Sequence, residues 1–169
     1  STSDVISSVE SPIKFHHDLV ILPNGNIAAL TNRTKDVLLE DGRTEAVRGD
    51  VIVELKTDGE IVWEWSSFDY LEPSTFQVPE NGSSDWTHGN NIQYLPETDE
   101  LLVGLRNLNL LLTIDRETRE ITRRIGENGD YTLTHGQWFY GQHHGTLTEN
   151  GSLTVFDNHF DRTSDINSR

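Results

Sequence analysis

The chain has 169 residues, enough for one domain with a real hydrophobic core. Its 28 acids against 13 bases leave a formal charge of −15, which argues against nucleic acid as a partner, because phosphates need a basic face, and against anionic membranes. There is no cysteine, and therefore no disulfide framework, thiolate nucleophile or cysteine-based metal site.

Lys14, Lys35 and Lys56 are the only lysines, and such an acidic, lysine-poor surface would suit high salt. Methionine is absent even from position 1, so the chain is expected to be a processed product or a piece of something longer. No apolar run approaches membrane-spanning length, and no signal peptide is recognisable. Sequons at Asn32, Asn81 and Asn150 are glycan acceptors if the protein is secreted. The expected setting is extracellular, periplasmic or at the cell surface.

In chain order, residues 1–14 are polar and Ser-rich at their start, a loose end or an incomplete strand. The first unit, 15–66, opens on the apolar run Phe15–Leu22, turns at Pro23-Asn24-Gly25-Asn26 and returns over Ile27–Thr31. The charged stretch 33–48 reads as a surface excursion. Asp50–Leu55 and Glu60–Trp65 complete four antiparallel strands. A long loop, 67–84, follows, and loops of that length inside a domain are usually functional. The second unit, 85–126, has strands at Asn91–Leu95, Leu101–Leu105, Leu110–Ile114 and Glu120–Ile125. A second aromatic-rich loop, 127–141, leads to a partial third unit, 142–169, with strands at Gly145–Thr148 and Ser152–Phe156.

These units repeat. Asn24-Gly25 follows His17, and Asn150-Gly151 follows His143, at the same spacing, while His88 opens the middle unit. Four-stranded repeats of roughly 40 to 60 residues signal a β-propeller. The expected fold is all-β: a propeller fragment of about two and a half four-stranded antiparallel blades, forming one domain. A β-sandwich is the rival, but it does not explain a histidine at the opening of each repeat.

In a propeller the innermost strands line the axis, so His17, His88 and His143 would meet at one mouth of the channel. Arg106 closes the strand antiparallel to the one that His88 opens, and both fall at the same end of the sheet. Imidazoles beside a permanent cation suit an anion with several oxygens. A polar strand end is the blander account of any one histidine, and recurrence at equivalent positions argues against it.

The motifs Asp85-Trp-Thr-His-Gly-Asn-Asn-Ile92, Leu105-Arg-Asn107, Ile114-Asp-Arg-Glu-Thr118, Gln142-His143 and Phe156-Asp-Asn158 together resemble the arylsulfotransferases. These bacterial and archaeal enzymes move a sulfuryl group between phenols without a nucleotide sulfate donor. The resemblance covers roughly residues 16–159. It implies a six-bladed propeller, a phenolic sulfate and a phenol as substrates, and no cofactor. Carried over by motif, His17, His88, Asn90 and Arg106 would bind and polarise the sulfuryl group, and His143 would be the transiently sulfated nucleophile. Of the doublets His16-His17 and His143-His144, the spacing to Asn-Gly favours His17 and His143. Gly89, Gly145 and Thr148 stand where the family leads one to expect bulkier residues.

The residue types suit that chemistry. Sulfuryl transfer, like phosphoryl transfer, is mostly positioning and charge stabilisation. A neutral imidazole is a good nucleophile, and a phenol of pKa about 10 is a fair leaving group. Trp86, Trp138, Phe139 and Tyr140 would either stack the aryl rings or pack between blades. Two other classes stay open. The histidines would serve equally as ligands in a metal-dependent hydrolase or lyase, although Arg106 beside them counts against a cation. A non-catalytic module assembling through open blade edges, with copies of itself or with further chain, is the other.

Overall fold

Short hairpins joined in chain order build three antiparallel sheets. The structure is a computed structural model that describes residues 13–78 and 82–158. The N-terminal residues 1–12, the sequon residue Asn81 and the end of the partial unit, 159–169, lie outside the described residues.

The first sheet runs β1 (Leu19–Ile21), β2 (Ile27–Leu38), β3 (Thr44–Leu55) and β4 (Ile61–Ser66), each strand beside the next. The first turn closes as its residues dictate. Leu22 N–H donates to the Asn26 carbonyl at 2.8 Å, and Gly25 takes φ +83°, where a side chain would be strained. The stretch 33–48 is not an excursion. β2 and β3 run through it as one long hairpin, in continuous register from Ile27↔Leu55 to Leu38↔Thr44. Its outer half is polar because much of it is exposed, and this hid it in the composition. Val37, Leu39 and Val47 nevertheless pack there against Trp86, Phe68 and Phe76. The predicted loop 67–84 supplies part of that cover, with one helical turn, α1 (Ser67–Tyr70), and a 3₁₀ turn at Pro73–Thr75.

The second sheet is β5 (Gly89–Leu95), β6 (Glu100–Leu105), β7 (Leu110–Asp115) and β8 (Ile121–Gly126). The third, among the described residues, is β9 (His143–Leu147) with β10 (Leu153–Phe156). Every residue of β6 is buried, because the second sheet has a neighbour on each face. Side chains alternate along a strand. Leu101, Val103 and Leu105 accordingly join Leu30, Ile52 and Trp65 of the first sheet. Leu102 points the other way and, with Leu111, meets Phe139, Leu147 and Val155. Face-to-face sheets with β1, β5 and β9 as adjacent inner strands are the architecture of a propeller fragment.

The inner strands are joined by side chains that imitate a ladder. Asp18 Oδ2 accepts from Ile92 N–H at 3.0 Å. The Asn91 amide donates to the Gly145 carbonyl at 2.8 Å and accepts from its N–H at 3.1 Å. Gln93 does the same with Leu147, both bonds at 2.8 Å. No helix among the described residues is long and apolar enough to cross a membrane. Asn32 on β2 and Asn150 in the β9–β10 turn are exposed.

Candidate active site

The stitched inner strands bring three histidines to one place. The His17 and His88 ring centroids are 5.0 Å apart, and those of His88 and His143 are 6.2 Å apart. His17 and His88 each precede their strand in the left-handed backbone region, at φ 56° and 51°, where residues with side chains are uncommon. His143 begins β9 and lines the cleft, while the neighbouring His144 is exposed.

The segment 85–88 is clamped on both sides. Trp86 N–H donates to the Arg48 carbonyl at 2.9 Å, tying it to β3. Arg106 N–H donates to the His88 carbonyl at 3.1 Å, and Asn107 N–H to that of Thr87 at 3.1 Å. This antiparallel pairing puts the Arg106 guanidinium on the same rim as the His88 ring. Behind them Asp50, 3% exposed, accepts from the Gly89 N–H at 2.6 Å and from the Thr87 hydroxyl. A Cβ on residue 89 would sit 2.8 Å from the Asp50 carboxylate, so only glycine allows this approach.

His88 Nδ1 lies 2.6 Å from Asp85 Oδ2, and Asp85 is also 3.3 Å from Arg48. Burial pushes the Asp85 carboxyl up, but His88 and Arg48 together outweigh it and hold the group below the usual aspartate range. The anion keeps a proton on Nδ1 and leaves Nε2 of His88 for a ligand. Desolvation, and then the neighbouring imidazoles His88 and His16, press His17 below the ordinary histidine value. His143 Nδ1 lies 2.6 Å from the Asn158 amide nitrogen and 3.3 Å from the Gly141 carbonyl.

His88, Arg106, His143, Phe156 and Asn158 line an open cleft of about 560 Å³. Three expected substrate contacts lie elsewhere. Asn90 is buried, and its amide donates to the Gln142 carbonyl at 2.6 Å, so it braces the second sheet against the third. Trp86, 3% exposed, packs under the long hairpin arm against Phe68, because its place on a clamped segment turns it into the core. Trp138 packs with Phe139 over Leu102 and Leu111 between sheets. The aromatic at the cleft is instead Phe156, 65% exposed. Phe156 and Asn158 belong to a motif that carried the family resemblance, and that was the signal available for them. Among the described residues, no group of three or more His, Asp or Glu side chains is arranged to hold a metal ion.

The family model described as Arylsulfotransferase (ASST) matches residues 4–168. No curated protein matches. Among solved structures, a crystal structure of a protein of unknown function from Bacteroides caccae is similar at 13% identity and a TM-score of 0.37, over 82% of this chain and 54% of that one. This chain thus spans about half the length of that protein. With a family match over nearly its whole length, three histidines and an arginine at one rim, and inner strands stitched side by side, the chain belongs to the arylsulfotransferase family.

Proposed function

We propose that this chain carries the sulfuryl-transfer site of an aryl sulfate sulfotransferase, working through a sulfated histidine. The observation that supports the reading most is the meeting of the His17, His88 and His143 rings, the last two lining one open cleft with Arg106. Arg106 offers a fixed planar cation to the sulfuryl oxygens, with Nε2 of His88 beside it. His143 is the nucleophile. Attack requires the tautomer with its proton on Nδ1, where the Gly141 carbonyl at 3.3 Å accepts it, so that Nε2 keeps the lone pair; the Asn158 amide, which donates to the same carbonyl at 2.6 Å, then turns its second N–H away from Nδ1. The new N–S bond forms as the S–O bond to the aryl group breaks, and the first phenol leaves as the phenolate, which takes a proton from water. A second phenol then attacks sulfur, the N–S bond breaks, and its own proton is released. The exposed ring of Phe156 suits stacking against the aryl group.

With an aryl sulfate donor and a phenol acceptor, His143→Ala is expected to abolish both the burst of phenol and covalent labelling of the protein. Arg106→Ala is expected to slow turnover on the order of 10²–10³-fold while leaving some label. A His143→Ala protein that keeps burst and label, while His88→Ala loses both, would move the nucleophile to His88. Absence of transfer from every aryl sulfate would end the enzymatic reading.

A second reading, a module that assembles through its edges, is favoured by Leu19 and Ile21 of β1, exposed at 55% and 70%. Sedimentation of the chain as a monomer would remove it.

A further inference from the structure

Beside the cleft sits a histidine that the proposed reaction does not use. His16 Nε2 is buried and lies 3.3 Å from Asp50 Oδ1, an ion-pair distance without the alignment of a hydrogen bond. Its other nitrogen, Nδ1, lies 2.9 Å from Nδ1 of His17. The His17 ring in turn stands edge-on to His88. Asp50, His16 and His17 therefore form a file from the buried carboxylate to the histidine cluster. Asp50 is itself held in place by Gly89 N–H and the Thr87 hydroxyl.

We propose that His16 is a positioning residue: anchored by Asp50, it decides through its Nδ1 which nitrogen of His17 carries the proton, and so whether His17 offers substrate a donor or a lone pair. This role rests on the sulfuryl-transfer reading of the site. Two imidazole nitrogens 2.9 Å apart share one proton, since two N–H groups would collide and two lone pairs would repel. The Asp50 carboxylate keeps a proton on His16 Nε2 in either case. When His16 is an imidazolium, its Nδ1–H donates to His17 Nδ1, and neutral His17 carries its proton on Nε2. It can then donate to a sulfuryl or phenolic oxygen. When His16 loses one proton to solvent, His17 must donate from Nδ1, and its Nε2 becomes a bare base. A single ionisation at His16 thus converts His17 from donor to acceptor.

The charges around the file favour that order. Asp50 of β3 raises His16 above the ordinary histidine value, against the opposing effect of burial, with smaller help from the Thr31 backbone and from Asp85. His17 is pressed the other way by burial and by His88, His16 and His143, with Asp50 opposing. His16 therefore holds the cation and His17 stays neutral.

The test is two-bond ¹H–¹⁵N correlation NMR of the ¹⁵N-histidine protein between about pH 5 and pH 9. The His17 proton is expected on Nε2 on the acid side of the His16 titration and on Nδ1 on its alkaline side. In His16→Gln that switch is expected to vanish, leaving His17 only its own titration. Asp50 is buried, so Asp50→Asn risks the fold. If it folds, the His16 titration and the switch are expected to move together to lower pH. In the transfer assay, His16→Gln is expected to lose the matching limb of the kcat/KM pH profile. A His17 tautomer unchanged through the His16 titration, or an unchanged switch in His16→Gln, overturns the proposal. A wild-type switch without any sulfuryl transfer would sink the functional reading and leave the His16–His17 coupling standing.

Discussion

His88 is aimed by a carboxylate. Asp85 accepts at its Nδ1, and the backbone on either side of the ring is tied to Arg48 and Arg106. Asp85→Asn keeps the shape but offers a neutral amide where the anion stood. Under the proposed function, kcat is expected to fall by about 10²–10⁴-fold, the range of a misdirected acid–base group. A rate within a few-fold of wild type would show that His88 needs no such holder. Phe156 belongs to a different kind of contact. Its ring is exposed at the cleft and supports little of the core, so Phe156→Ala is expected to leave the fold intact. Loss of one aromatic stacking contact should raise KM by about 2- to 12-fold with kcat little changed. Equal losses in kcat and kcat/KM would instead assign Phe156 to the transition state.

The inner strands depend on side chains more than on ordinary sheet ladders. β5 and β9 belong to different sheets, and the Asn91 and Gln93 amides supply the bonds that backbone alone does not make between them. Gln93→Ala would strand both the N–H and the carbonyl of Leu147. The expected cost is about 1–3 kcal/mol, read from urea unfolding. Hydrogen exchange at Leu147 N–H should rise more than exchange within β6. An unchanged midpoint would mean that apolar packing alone holds the sheets together. The long β2–β3 hairpin makes a related point about legibility. Val37, Leu39 and Val47 carry an alternating pattern in the sequence. Exposed charges interrupt it, and what covers those three residues is Trp86 with Phe68 and Phe76, all further along the chain.

At the scale of the molecule, two buried glutamates link stability to pH. Glu54 of β3 accepts from Asn26 at 2.6 Å, from Asn24 at 3.0 Å and from Arg116 of the second sheet at 2.6 Å. Glu100 accepts from Thr98 at 2.7 Å, from the Thr122 hydroxyl and from Arg123. Burial pushes each carboxyl up, but these partners outweigh it and hold both below the ordinary glutamate value. A depressed folded value stabilises the fold above the unfolded value of about 4.3. That contribution is lost as pH falls through the depressed folded value. Unfolding free energy should therefore drop on acidification below about pH 4.5. Glu54→Gln is expected to be less stable at neutral pH by about 1–3 kcal/mol and to show a flatter acid limb. An acid limb as steep as wild type would place the effect elsewhere in a chain of net charge −15.

Turn chemistry, strand alternation and the repeat of histidine before Asn-Gly were enough, on the sequence alone, to read antiparallel four-stranded units with His17, His88, Arg106 and His143 at one rim. Those signals are local, or recur at fixed spacing, and one-dimensional order preserves both. What only tertiary structure decided was which neighbouring polar and aromatic side chains reach the cleft. Asn90, Trp86 and Trp138 sit in or beside the right motifs but are drawn into contacts between sheets and under the hairpin arm. Asp50 and His16 share no motif, yet they meet 3.3 Å apart, because β3 passes behind the entrance to β1. Burial and cross-sheet bonding depend on which residues the folded chain brings together, and a strand's own pattern does not say what will stand opposite it.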